Sequence, residues 1–274
     1  MPSLLLIRGG GDLASGVALR LYRAGLRIVI TEVAQPLAVR RLACFAEAVY
    51  RGQFTVEGVT ARCLPDPADT LSILMTLSKG QISLVVDPEA EAITHLHPTV
   101  VVDARMLRHP IELDPRRVAL LIGLGPGFEA GVNCHAIVET RRGHTLGRVL
   151  WQGKTEPDSG IPDSICGIAE ARVLRAPADG VFQSRAEIGA HVEAGQSVAT
   201  VAGQDILAPV SGVLRGLLYP GLTVTQSLKV GDIDPRDDPR YCSLVSDKAL
   251  AVGGGVLEAI LTRPHLRAHL WTLG

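Results

Sequence analysis

The apolar run SLLLIR at Ser3 to Arg8 passes without a break into GGGDLASG at Gly9 to Gly16 and then into VALRLYRAG at Val17 to Gly25. No other feature limits the fold as much: apolar strand, glycine turn, amphipathic helix, in that order. Leu13, Val17, Leu21 and Ala24 share one helical face, and Gly25 stops the helix. LRIVITE at Leu26 to Glu32 comes next as a second buried strand ending on an acid, which completes a βαβ unit. The spacing Gly9-x-Gly11-x-x-Ala14 suits a dinucleotide: one glycine for the tight turn, one for close approach of the backbone to a pyrophosphate, and a small residue for helix-on-strand packing. Gly9, Gly10, Gly11, Asp12, Ala14 and Ser15 would then present backbone N–H groups to phosphate, and Glu32 would take ribose hydroxyls. Asp12 fits poorly beside a pyrophosphate unless it caps the helix or binds a metal.

The alternation continues. PLAVRRLACFAEAVYRG at Pro36 to Gly52 reads as a helix, Thr55 to Cys63 as a strand, Pro67 to Gly80 as a helix, and Gln81 to Asp87 and Thr99 to Met106 as strands. This pattern predicts an α/β fold with an N-terminal Rossmann-like parallel sheet over residues 1–125. Asp87 and Asp103 both close apolar strands, on the sheet edge where ligands sit; they either share a metal or ribose, or cap the segments that come after those strands. Arg40 and Arg41 are either solvated or turned toward the same edge.

The totals narrow the function. At 274 residues, 47% hydrophobic and 20% charged, the chain has the composition of a folded protein of two domains. A net charge of -1, from 27 basic and 28 acidic residues, gives no field that would gather nucleic acid or an anionic membrane. No apolar run approaches the roughly 20 residues of a membrane span, and SLLLI does not read as a signal peptide, so a cytoplasmic protein is expected. The five cysteines, Cys44, Cys63, Cys134, Cys166 and Cys242, are scattered and never form C-x-x-C, which argues against a disulfide framework and a structural zinc.

In the second half, Gly123-x-Gly125-Pro126-Gly127 is another glycine-dense turn able to face an anion. Cys134 to Gly153 reads as a β-hairpin with a basic tip at Arg141, Arg142 and His144, and residues 126–170 as a connecting segment. APADGVF at Ala176 to Phe182 is echoed by APVSGVL at Ala208 to Leu214, and Glu187 to Val201 by Leu218 to Ile233. Such a duplication of short glycine-punctuated strands resembles the biotinyl/lipoyl barrel, expected over residues 171–236. Where that family carries its modified lysine, this chain has VAGQD at Val201 to Asp205, so neither biotin nor lipoate is expected. A helical segment, 237–274, closes the chain; Gly253 to Gly255 inside it cost roughly 1 kcal/mol each against alanine and imply close approach of a neighbour. His265 and His269 have i, i+4 spacing with no further ligand nearby.

Taken together, GGGDLASGVALRLYRAG, GLGPGFEAG, IVETRRGHTLGRV, RVLRAPADGVF, KVGDIDPR and SDKALAVGGGVLEAIL resemble the YqeB family of selenium-dependent molybdenum hydroxylase accessory proteins. The similarity runs over nearly the whole chain; DARMLRHPIEL at Asp103 to Leu113 departs from it by lacking paired lysines. The resemblance implies a maturation role: binding molybdopterin dinucleotide or another dinucleotide, with Arg141, Arg142 and His144 closing over it, and partnership with a hydroxylase apoprotein or its maturation factors. Selenium transfer would need a soft nucleophile, for which Cys166 is the candidate. Homo-oligomerisation and catalysis are left open. Two alternatives stand beside this reading: an NAD(P)-dependent oxidoreductase, which the fingerprint and Glu32 permit, and a non-catalytic assembly scaffold.

Overall fold

The computed structural model describes residues 4–108, 113–157, 167–168 and 170–270. The chain forms two compact units that do not succeed one another in sequence. One comprises Met1–Pro36, Phe45–Asp158 and Val245–Gly274, the other Leu37–Cys44 and Ser159–Leu244.

The first unit contains, in chain order, β1 (Leu5–Arg8), α1 (Asp12–Arg23), β2 (Ile28–Glu32), α2 (Glu47–Arg51), β3 (Gln53–Val56), β4 (Val59–Leu64), α3 (Thr70–Ser78), β5 (Ile82–Val86), α4 (Ala92–Leu96), β6 (Val100–Asp103) and β7 (Leu120–Leu124). Next come β8 (Glu129–Ala130), β9 (Ala136–Val138), β10 (Val149–Leu150) and β11 (Gly153–Lys154), and α5 (Asp247–Leu261) and α6 (Pro264–Leu270) return to it. Nine strands form one sheet in the order β10-β9-β7-β6-β1-β2-β5-β4-β3, and β8 pairs with β11 separately. Apolar residues at alternate positions divide between two layers. Leu5 and Ile7 of β1 face α1 and α5, while Leu4 and Leu6 face α3 and α4.

α1 and α5 meet through glycine. A Cβ on Gly16 would stand 2.6 Å from Ala249, and one on Gly253 would stand 2.8 Å from the Gly16 carbonyl. Further along α5, a Cβ on Gly255 would collide with the Gly147 carbonyl, so the triplet lets α5 press on α1 and on the segment before β10 at once. Gly254 meets nothing within 4 Å.

The second unit holds β12 (Val173–Arg175), β13 (Gly180–Ser184), β14 (His191–Val192), β15 (Ser197–Val201), β16 (Gln204–Leu207), β17 (Gly212–Leu217), β18 (Thr223–Val224) and β19 (Lys229–Asp234). They form two four-stranded antiparallel sheets, β12-β19-β17-β14 and β16-β15-β13-β18. Each copy of the repeat lends a short strand to the other: β13 pairs with β18, and β17 with β14. At the tip between the copies, Ala202 and Gly203 make a two-residue turn with φ of 50° and 77°. A buried ionic cluster lies under β19. Asp232 receives Arg172 at 2.9 Å and Arg215 at 2.5 Å, and Asp234 receives Arg236 at 2.6 Å. Burial alone would raise the Asp232 carboxyl; Lys229, Arg215 and Arg172 outweigh it and hold it at about 2.

These findings correct the expected architecture. Instead of a Rossmann-like parallel sheet there is a mixed one, with β3 and β10 antiparallel at its two edges. Thr55 to Cys63 is not one strand, because Glu57 and Gly58, at φ of 45° and 82°, fold it into a hairpin. In place of a biotinyl/lipoyl-like barrel there are two separate antiparallel sheets. The expected helix over 36–52 is broken. Val39 instead accepts a hydrogen bond from the Leu217 N–H within the second unit, leaving only a 3₁₀ turn at Arg41–Ala43 and α2. The terminal helices form no segment of their own, since α5 supplies Ala249, Val252, Val256 and Ile260 to the core of the first unit. Among the described residues no helix is long and apolar enough to cross a membrane.

Candidate functional site

The glycine loop lies where β1 gives way to α1, beside the ends of β2 and β6, its two neighbours in the sheet. Gly9 has φ of 91°, a backbone state that suits glycine, and its N–H donates to the Thr31 carbonyl. The Gly10 N–H donates to Glu32 Oε2 at 2.7 Å, and the Val33 N–H to Glu32 Oε1 at 2.8 Å. Glu32 therefore neutralises loop amides of its own chain. Burial pushes its carboxyl above the usual range, and the Val33 and Gly10 N–H groups pull it part of the way back.

Ser15 is fully buried and staples the loop: its hydroxyl donates to the Gly10 carbonyl at 3.1 Å and accepts the Phe45 N–H at 2.9 Å. Ala14 packs in the core, as a small residue there must. Gly11 caps α1 through its backbone alone, with no atom within 4 Å of where a Cβ would be, and Asp12 sits in the first turn, where a carboxylate meets the positive end of the helix dipole. Gly11 is thus the part of the loop with open space in front of it.

Two cations that sequence reasoning passed over stand at the same edge. Arg8, the last residue of β1, is buried; its Nη2 donates to the Pro88 carbonyl at 3.3 Å and its Nη1 lies 3.5 Å from Asp103. Arg105 clamps Asp103 with bonds of 3.0 and 2.6 Å, and its side chain passes over Gly9. Burial lowers the Arg8 pKa, and Asp103 opposes that shift. Asp87 is spent elsewhere, accepting the Glu91 and Ala92 N–H groups at the start of α4, both at 2.9 Å. Asp87 and Asp103 thus cap a helix and anchor arginines. Among the described residues no group of three or more His, Cys, Asp or Glu side chains is placed to hold a metal.

The basic tip is differently employed from what its composition suggested. Arg141 pairs with Glu156 at 2.8 Å, and Arg142 makes a two-pronged pair with Asp247 at 2.7 and 2.8 Å. Both arginines serve the chain's own carboxylates. Their loop is shaped by Glu139, a buried carboxylate that accepts the Thr140, Arg141 and Glu156 N–H groups, each at 2.7 Å. His144 is exposed and lines a cavity of about 700 Å³ together with Arg148, Glu258 and the segment Thr145 to Leu150. Arg40 and Arg41 lie in the second unit, where Arg40 donates to the Tyr241 and Leu244 carbonyls and Arg41 to that of Leu217. Cys166 lies outside the described residues, as does part of the Asp103 to Leu113 loop. Cys44, Cys134 and Cys242 are buried, and burial pushes the Cys134 thiol up to about 11.

No known family profile matches the chain. Over 262 residues, 96% of its length, it is 44% identical to the protein named Uncharacterized protein YqeB of Escherichia coli (strain K12). It is a relative of YqeB. The alignment covers 48% of that protein, so the chain spans about half the length of the curated relative it matches. Among solved structures, an aspartoacylase family protein from Mesorhizobium loti is 17% identical with a TM-score of 0.27, covering 85% of this chain and 84% of that one. The product-bound ectoine utilization protein EutE (DoeB) from Ruegeria pomeroyi is 14% identical with a TM-score of 0.25, covering 85% of each chain. Likenesses at that TM-score set no fold and no chemistry for this YqeB relative, and none of these names mentions molybdenum or selenium.

Proposed function

We propose that the chain is an accessory protein that holds a phosphorylated small molecule at the end of β1, in the maturation of a molybdenum hydroxylase. One observation carries the binding part of this reading: open space at Gly11 in front of the N-terminus of α1, where no side chain of the helix cap takes a backbone N–H. Arg105, passing over Gly9, adds a cation at the same edge. The Glu32 carboxylate favours a ligand approaching from the Gly11 side, because a phosphate next to Gly10 would meet it. Molybdopterin dinucleotide is the ligand that the family resemblance suggests, and a hydroxylase apoprotein the recipient.

Mass spectrometry of small molecules released from natively purified protein tests it. A phosphorylated pterin or nucleotide near one equivalent is expected, falling at least tenfold in Gly11→Val, where the side chain fills the open space. Release of no phosphorylated compound, together with no hydroxylase co-purifying, would end this reading.

A further inference from the structure

The cavity beside β10 belongs to the first unit and is independent of the glycine loop. Its charged lining sorts into spent and unspent groups. Glu139 is saturated by three backbone N–H groups, Glu156 is held by Arg141 at 2.8 Å and Thr145 at 3.0 Å, and Lys154 lies 3.2 Å from Glu129. Arg148 is different: its Nε donates to the His144 carbonyl at 3.1 Å, which leaves the two terminal nitrogens of the guanidinium directed elsewhere. Glu258 of α5 lines the same cavity and, among the described residues, forms no ion pair with Arg148. Two opposite charges thus share one concave space of about 700 Å³ without neutralising each other, within the size range of small-molecule sites. Leu146, Val149 and Leu150 line the same cavity and give it an apolar part.

We propose that this cavity binds an α-amino acid with an apolar side chain: carboxylate on the Arg148 guanidinium, ammonium on Glu258, side chain on the Leu146 and Val149 wall. A planar guanidinium takes a carboxylate through two parallel hydrogen bonds, and a carboxylate takes an ammonium through one or two. A simple anion would satisfy Arg148 and leave Glu258 repelling it; a simple cation would do the reverse. The zwitterion alone meets both. Glu139 holds the rim by accepting the N–H groups of residues 140, 141 and 156, a preorganisation that favours binding.

The test is titration of the full chain with L-leucine, read by ¹H–¹⁵N spectra and calorimetry, beside 4-methylpentanoate, which lacks the ammonium, and 3-methylbutylamine, which lacks the carboxylate. Leucine is expected to bind, and each analogue to bind on the order of tenfold to a hundredfold more weakly. Arg148→Gln and Glu258→Gln, both at exposed positions, are expected to weaken leucine by similar factors. No binding of leucine at about 10 mM, a regime that detects even millimolar affinity, overturns the proposal. So does an analogue that binds as well as leucine, or a leucine affinity unchanged in both variants. The analogue arm uses the unmutated protein, so it decides the matter even if a variant folds poorly. A failure here leaves the phosphate site at Gly11 untouched.

Discussion

At the scale of single residues, the second unit depends most on Asp232. Its carboxylate is buried among Arg172, Arg215 and Lys229, and removing it would strand those cations in a low-dielectric interior. Asp232→Asn is expected to destabilise the protein by about 3 kcal/mol or more, measured by urea denaturation. The same residue makes a pH signature. Its folded pKa of about 2 lies below the ordinary value of 3.8, so the stabilisation is complete above that value and disappears as pH falls through about 2. A loss on the order of 2 kcal/mol is expected over that interval, absent in the Asn variant. Glu32 has the opposite sign. Its folded pKa is raised, chiefly by burial, so the folded state holds that proton more tightly and stability declines as pH rises through the folded value. Glu32→Gln keeps an acceptor for the Gly10 N–H while removing the charge, and is expected to flatten the stability profile as pH rises above about 4.5, the ordinary glutamate value; an unchanged slope in thermal melts above that pH would contradict it.

At the scale of elements, α5 is distinguished by three consecutive glycines with different duties. Gly255 is pressed against the Gly147 carbonyl, and Gly254 faces open space. Gly255→Ala is expected to cost about 1–3 kcal/mol through overpacking, whereas Gly254→Ala, one position earlier, is expected to gain up to about 1 kcal/mol from helix propensity alone. Calorimetric melting of the two variants checks the contrast in sign. This part of the fold was legible: glycines inside an apolar helical pattern signal close approach, and the β1, α1 and β2 pattern is local, with a period that needs no knowledge of distant residues. Other parts were not. The two-residue turn at Glu57 and Gly58 lay hidden in a run that alternates like one strand, and only the positive φ at Glu57 shows it. Leu37 to Cys44 has helical composition, but its Val39 carbonyl is claimed by Leu217, a tertiary competitor that no local pattern displays. The candidate site divides in the same way. The glycine loop was visible as a motif, while the consumption of Arg141 and Arg142 by Glu156 and Asp247 depends on carboxylates remote in sequence. Arg148 and Glu258 carry no motif at all, and only the fold puts them on one cavity.

For the whole molecule, the interleaved units make the C-terminal helices part of the first sheet's core and not an appendage. A chain truncated after Leu244 lacks the apolar face that covers α1, and its first unit is expected to lose cooperative unfolding, seen as a broad transition and poor dispersion in ¹H–¹⁵N spectra. A well-dispersed spectrum from the truncated chain would show that α5 is dispensable.

The packing of α5 on α1 bears on how the protein is made. Arg20 on α1 reaches the Leu250 carbonyl across 230 positions, and Gly16 meets Ala249 over a similar interval. During synthesis, α1 leaves the ribosome with its apolar stripe uncovered, and at some 5–20 residues per second its partner emerges only after roughly ten seconds or more. Through that interval the sheet is a surface waiting for its cover, while the strands of the second unit are released and can pair among themselves. Assembly therefore runs against the direction of translation: the half of the molecule begun first is the half finished last.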